Sequence, residues 1–198
     1  LHAPLFKGNE RKYLIETIDS SFVSSIGAFV NKFETEVMKF TQSESATATM
    51  NGTAALHICL SLSGVKQNDL VITQALTFVA SCNAINYCGA EPLFIDVDLN
   101  RLSRCPQSME NWLLSNAYLD LDGNCRTIKC DRIIRACLPM HTFGIPANLD
   151  GLTDVCNRWS LNLIEDAAES LGSFYKGKHT GTIANMSSLS FNGNKIIT

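Results

Sequence analysis

A few short stretches of this 198-residue chain carry side chains that could do chemistry, and each follows an apolar run. In "SLSFNGNKIIT", Ser190 is followed by the polar turn of Asn192, Gly193 and Asn194, and then by Lys195. A lysine in such a place is ordinarily just solvated. The turn before it would also aim the amine back over a strand end, where it could act as a nucleophile. In "LNLIEDAAES", Glu165 and Asp166 close a buried run, and Glu169 follows at once. A buried acid is costly unless it is paired, hydrogen-bonded or neutral. Asp166 could therefore pair with a cationic ring nitrogen, or simply cap the next turn. In "ATATMNGTAAL", Asn51, Gly52 and Thr53 lead into a helix. Glycine lets a ligand approach the backbone, and the free N–H groups of a helix start make an anion site. Asn and Thr are also routine caps. Phe78 begins another helix, as a core side chain or as a face for a planar ring.

Each of these has an ordinary reading by itself. Taken together they describe one ligand. An anion site at Gly52, Thr53 and Ser190, an aromatic platform at Phe78, an acid at Asp166 and an amine at Lys195 match the pattern that binds pyridoxal 5′-phosphate (PLP). The acid keeps the pyridine nitrogen protonated, so the ring can accept electrons. The lysine makes the cofactor exchangeable for an incoming amine and can afterwards carry a proton. The chain lacks both the dinucleotide G-x-G-x-x-G and the P-loop G-x-x-x-x-G-K-[ST], which leaves a nicotinamide-dependent oxidoreductase without its fingerprint.

These residues need a scaffold, and the hydrophobic pattern describes one. "ATATM" (46–50), 69–73, 91–97, 132–140 and 161–166 read as strands, with a short terminal strand before the lysine turn. Helices are expected over 53–64, 78–89, 106–117 and 149–159, with Pro106 in a favoured first-turn place. Alternation of this kind implies an α/β domain with a mostly parallel sheet and helices on both faces. In such sheets ligands collect at the carboxyl ends of the strands. Residues 1–45 differ: "NERKYLIETIDSSF" and "AFVNKFETEVMKFTQ" read as two amphipathic helices that need an apolar surface in this domain or a partner chain. A surface loop is expected within 104–125. The division is thus a helical segment, 1–45, and a PLP-binding domain, 46–198.

Composition narrows the classes further. A hydrophobic fraction of 45%, a charged fraction of 18% and a net charge of −3 suit a soluble globular domain. No basic cluster points to nucleic acid or to an anionic membrane surface. No apolar run approaches the roughly 20 residues of a membrane helix, and no leader is expected. The eight cysteines form no C-x-x-C pair and read as reduced core thiols of a cytoplasmic protein.

The motifs "NGTAALHICL", "TFVASCNAI", "GAEPLFIDVD", "HTFGIPANLDGL", "LIEDAAESLGS" and "SFNGNK" occur in the order seen in the DegT/StrS-type sugar aminotransferases, and nearly the whole chain resembles that family. The opening residues are most similar to the subgroup that aminates C4 of UDP-linked 4-keto-6-deoxy sugars in legionaminic acid and bacillosamine-type pathways. The resemblance implies the large domain of the aspartate aminotransferase fold (fold type I). It implies PLP on Lys195, ring-nitrogen contact by Asp166, stacking by Phe78, and phosphate contact by Gly52, Thr53 and Ser190. The substrates would be a nucleotide-linked keto sugar and an amino-acid donor such as glutamate. The resemblance also implies a homodimer and a smaller C-terminal domain after the lysine, so this chain is expected to be the large domain without it. Two positions depart from the family. Glu169 stands where Gln is usual beside the ring's phenolic oxygen, a repulsive contact unless one partner holds a proton. Asn148 replaces an acid, with no catalytic consequence assigned. His141 is given a structural role before a pocket-lining one. The alternatives are a non-catalytic or regulatory relative, or a PLP-dependent sugar dehydratase; the latter carries His in place of the lysine.

Overall fold

The computed structural model describes residues 3–198, so Leu1 and His2 of the expected helical segment lie outside it. In chain order the helices are α1 (Glu10–Asp19), α2 (Ala28–Thr41), α3 (Gly52–Leu62), α4 (Val79–Tyr87), α5 (Pro106–Asn116) and α6 (Leu149–Arg158). The strands are β1 (Leu70–Thr73), β2 (Glu91–Phe94), β3 (Ala117–Leu119), β4 (Cys125–Thr127), β5 (Ile134–Cys137), β6 (Asn162–Asp166), β7 (Phe174–Tyr175), β8 (Lys178–His179) and β9 (Met186–Ser188). Five of them form one sheet in the order β2-β1-β5-β6-β9, and every pair in it is parallel. The β3–β4 and β7–β8 pairs are small antiparallel ribbons at its margin.

Both faces of the sheet are covered, as the apolar strands require. Leu56, Cys59 and Leu60 of α3 and Ala84 and Ile85 of α4 pack on Val71, Ala136 and Ile164. On the other face, Met109 and Leu113 of α5 and Leu149, Leu152, Val155 and Cys156 of α6 pack on Leu70, Ile72, Ile134 and Cys137. In α3 and α6 these residues recur three and four apart, which gives each of those helices a single apolar stripe. A register shift in the β1–β5 pairing, where Leu70 faces Ile134 and Val71 faces Ala136, leaves Arg135 as an extra residue. That bulge lets Ile134 and Cys137, three apart, turn to the same face.

One expected strand is absent. Residues 46–50 pair with no strand; they run beside α2, where the Ala48 amide donates to Glu34 Oε1 at 2.8 Å. The carboxylate satisfies a donor that a sheet neighbour would otherwise have taken. Strands β2 and β5 are also shorter than the apolar runs that contain them, because the chain leaves the sheet to build loops at its carboxyl edge. Of the amphipathic pair, α2 docks through Phe33 on Phe191 and Phe40 on His179. Helix α1 buries no residue and leaves Leu14 and Ile18 in solvent.

The chain runs from β1 out to β2 and returns to the far side of β1 as β5. The crevice between the carboxyl ends of β1 and β5 is therefore the switch point at which ligands bind in such sheets. The loops that follow β1, β5 and β6 all open there.

Candidate active site

At one end of the crevice, α3 begins with Gly52 and Thr53, capped by Asn51, whose Oδ1 accepts from the Ala54 amide at 2.8 Å. The amides of Gly52 and Thr53 precede any intrahelical acceptor, so they point out of the helix. Gly52 is packed tightly against Ser190: a Cβ placed there would meet Ser190 Cβ at 3.2 Å and Oγ at 3.4 Å. The nearby Ser188 hydroxyl donates to the Gly52 carbonyl at 3.1 Å, which ties the loop after β9 to the start of α3. Two amides and one hydroxyl thus share a small space suited to an anion. An open cleft of about 400 Å³ between the starts of α3 and α4 adjoins it, walled by Asn51, Thr53, His57, Phe78, Asn83 and Tyr87.

Asp166 closes β6 and is 2% exposed. Its Oδ2 accepts from the Ser81 hydroxyl of α4 at 2.7 Å, and its Oδ1 accepts from the Ala168 amide at 3.2 Å. Burial raises this carboxyl above the ordinary range; the Ser81 and Ala168 hydrogen bonds, with His141 and Lys195 nearby, offset only part of that. A buried acid in this condition is suited to a cationic partner.

Glu165, next to it, points the other way, as neighbouring strand residues must. Its Oε2 accepts from His141 Nε2 at 2.9 Å and from the Gly181 amide at 2.8 Å, and its Oε1 accepts from the amides of Ile183 (2.9 Å) and Ala184 (2.7 Å). The Ala147 amide donates to His141 Nδ1 at 3.1 Å, so the ring proton is on Nε2 and points at Glu165. Burial alone would raise the Glu165 carboxyl. The His141 contact and the backbone donors outweigh it and hold Glu165 below its usual value as a stable carboxylate. His141 is therefore structural, fully buried and turned away from the crevice.

Lys195 lies in the loop after β9, with its amide bonded to Asn192 O at 2.8 Å across the polar turn. Its Nζ is 5.8 Å from the centroid of the Phe78 ring and 3.4 Å from Glu169 Oε1. Phe78 is the cap residue of α4 and is 63% exposed, so the core reading of this aromatic does not apply. The other oxygen of Glu169 accepts from the Phe143 amide at 3.0 Å. Phe143 has φ 54°, a left-handed conformation rare for an aromatic residue, in the turn directly after His141 and Thr142. Glu169 thus fastens that turn to the lysine loop.

Gly52, Thr53 and Ser190 meet at one end of this crevice, and Phe78, Glu169 and Lys195 at the other; Asp166 lies beneath, bound to the helix that Phe78 begins. Asn148 stands apart: its Oδ1 caps α6 at the Gly151 amide (3.3 Å) and accepts from the Tyr175 hydroxyl (3.1 Å).

The DegT/DnrJ/EryC1/StrS aminotransferase family profile matches residues 4–198. The chain belongs to this family. GDP-perosamine synthase of Vibrio cholerae is 37% identical over 198 residues, 100% of this chain and 49% of that protein. GDP-perosamine synthase of Caulobacter vibrioides is 37% identical over 196 residues, 99% and 48% of the two chains. Among solved structures, the Streptococcus pneumoniae protein Spr1654 in its PLP form superposes with a TM-score of 0.83 at 25% identity, covering 99% of this chain and 49% of that one. The chain spans about half the length of the curated relatives it matches.

Within this aminotransferase-family chain, the residues that sequence reasoning passed over all support others. In sequence Glu165 is only one of two acids at a strand end, although strand alternation requires that just one of the pair face the crevice. Ser81 was signalled by its place one turn into α4, above Phe78. Gln74 left no local signal. Fully buried after β1, its Nε2 donates to Leu76 O (2.9 Å) and Thr142 Oγ1 (3.0 Å), and its Oε1 accepts from the Arg104 amide (3.0 Å) and the Met140 amide (3.3 Å).

Proposed function

We propose that the protein carrying this chain uses PLP to transfer an amino group from an amino acid such as glutamate to a nucleotide-linked keto sugar. The observation that carries the reading is the convergence of a shielded lysine amine, an exposed aromatic face and a buried, cation-ready acid at one switch point. The residues fit the cofactor: among the described residues no cation is in direct contact with Asp166, and the space at Gly52 would be closed by a side chain. Asp166 holds the ring nitrogen, and Phe78 covers one face. The amides of Gly52 and Thr53 and the Ser190 hydroxyl hold the phosphate. Lys195 provides the amine that anchors the cofactor and that moves a proton at the substrate carbon once free. Glu169 Oε1 lies 3.4 Å from the Lys195 amine in the chain without cofactor; once that amine anchors the cofactor, a carboxylate beside the phenolic oxygen is repelled unless a proton lies between them. When bound, the cofactor supplies an electron sink for the carbon that bears the amino group.

On the sequence resemblance, the acceptor is C4 of a UDP-linked 4-keto-6-deoxy-N-acetylhexosamine. The relatives at 37% identity, both GDP-perosamine synthases, favour a second reading in which the sugar is GDP-linked and the product is GDP-perosamine. The same proposal makes the protein a homodimer, supported by the apolar residues that α1 leaves exposed, and cytoplasmic, supported by its free cysteines. The test supplies PLP, glutamate and either sugar nucleotide to the protein and reads the product by mass. Amination of one sugar and not the other chooses between the readings; amination of neither overturns the proposal.

A further inference from the structure

The direct contacts of Asp166 are hydrogen bonds and not an ion pair. Behind its Oδ2 runs a line of three groups that the function above does not use. Ser81 Oγ is 2.7 Å from Oδ2, Thr77 Oγ1 is 2.7 Å from Ser81 Oγ, and Met140 Sδ is 3.1 Å from Thr77 Oγ1. Thr77 and Ser81 are one turn apart at the start of α4, while Met140 follows β5. Met140 is fixed by its own backbone: its amide donates to Gln74 Oε1, and its carbonyl accepts from Ser103 Oγ at 2.7 Å.

Each hydroxyl has one proton to give, and a thioether can only accept. The line therefore has two consistent arrangements. With Asp166 ionised, Thr77 donates to Ser81 and Ser81 donates to Oδ2. With Asp166 neutral and its proton on Oδ2, the acid donates to Ser81, Ser81 to Thr77, and Thr77 to the sulfur. Only the second arrangement uses Met140, and without the sulfur its last proton would have no acceptor.

We propose that Thr77, Ser81 and Met140 form a reversible hydroxyl relay that keeps Asp166 hydrogen-bonded both as a neutral acid and as a carboxylate, and so positions it to take up a cationic ring nitrogen. The inference rests on the PLP reading. Loading the site converts a carboxylic acid and a neutral pyridine nitrogen into a carboxylate and a pyridinium: one O–H bond breaks, one N–H bond forms, and the two hydroxyl protons reorient. Burial shifts the Asp166 carboxyl toward its neutral form, the direction the second arrangement uses. The titratable groups near it are Lys195, from the loop after β9, and His141, from the turn after β5, whose ring is turned to Glu165. Glu165 occupies the opposite face of β6. Thr77, Ser81 and Met140 are positioning residues; none of them touches the cofactor on this account.

The test uses the full chain with Ser81→Ala, Thr77→Val, Thr77→Ser and Met140→Leu. It measures PLP affinity by absorbance, the protonation of the ring nitrogen by the 15N shift of labelled PLP, and attachment to Lys195 by borohydride trapping and peptide mass. Ser81→Ala removes a hydrogen bond to a charged group and should weaken PLP binding about tenfold, with the ring nitrogen losing its proton at lower pH. Thr77→Val should weaken it about threefold, and Thr77→Ser should restore it. Met140→Leu conserves volume and removes an acceptor only from the unloaded arrangement. It should tighten binding about twofold and leave the 15N shift unchanged. Equal affinities and shifts in wild type, Ser81→Ala and Thr77→Val, with Lys195 labelled in all, would overturn the relay and leave the cofactor reading standing. Met140→Leu weakening PLP as Thr77→Val does would overturn its reversibility. A wild-type chain unlabelled at Lys195 would overturn both inferences. Thr77→Ser failing with the fold intact would show a packing effect and overturn the relay.

Discussion

Replacing Glu165 by Gln should unfold this protein far more easily, although the change is isosteric and touches no proposed ligand contact. The carboxylate receives two donors on each oxygen, His141 Nε2–H and the Gly181 amide on one, the amides of Ile183 and Ala184 on the other. Glutamine has one acceptor oxygen and one NH2 group. Whichever way it lies, its NH2 faces two N–H donors, so two hydrogen bonds are lost and two become neutral. Bonds to a charged group contribute about 1.5–3 kcal/mol each and neutral ones about 1 kcal/mol. Removing a buried charge recovers part of this, which leaves a net loss of about 3–5 kcal/mol, the range for a broken buried pair. In a chain of this size that lowers Tm by about 10 °C. The pH dependence has a definite sign. Glu165 ionises below its ordinary value in the folded state, so its stabilisation is complete above the unfolded-state pKa and fades as pH falls through the lower folded-state one. Urea unfolding of wild type and Glu165→Gln near pH 7 should therefore differ by that amount, with the gap narrowing in acid. A difference under about 0.5 kcal/mol at neutral pH, or a gap that stays constant on acidification, would refute the reasoning.

Asp166 has the opposite sign: its folded-state pKa is raised, so the stability it contributes in acid is lost as pH rises through that value. Asp166→Asn should thus stabilise the cofactor-free chain at neutral pH by about 1 kcal/mol, a Tm rise of about 2–4 °C, while abolishing PLP binding; thermal melts with and without PLP read both. Arg104 is fully buried; its Nη1 donates to Asp96 O at 3.2 Å, while Nε and Nη2 have no partner among the described residues, so Arg104→Met should be neutral or stabilising by about 1–3 kcal/mol in urea, and a loss above about 1 kcal/mol would refute this. Gly181→Ala places a Cβ 3.0 Å from Ser187 Oγ at φ 86° and displaces an amide that Glu165 uses; a loss of about 1–3 kcal/mol is expected by denaturation. Among the thiols, Cys130 should react first with a disulfide reagent at mildly alkaline pH. Cys59, Cys137, Cys156 and Cys125, the last pushed up to about 12 by burial, should react only on unfolding.

The large elements were legible because each has one dominant physical cause. The stripes of α3 and α6 follow from i, i+3, i+4 burial, and the parallel sheet follows from helices between apolar strands. The 46–50 segment misled because "ATATM" has strand-like alternation, and nothing local reveals that Glu34 takes the Ala48 amide instead. The crevice residues were legible as side-chain types placed after strands. Their supports were not: Glu165, Gln74 and Met140 bind segments far apart in sequence, so their partners appear only once β1, β5 and β6 are side by side. Asn148 shows the converse, a departure from the family pattern whose position in the fold is that of a helix cap.

The central claim is that the crevice holds PLP on Lys195, and one measurement reaches it directly. The chain is mixed with PLP, reduced with borohydride and digested, and the pyridoxyl group is mapped by peptide mass, with Lys195→Ala as the control. The account predicts label on Lys195 in wild type, and none in that peptide in the variant. Label scattered over surface lysines, equal in both proteins, would contradict it.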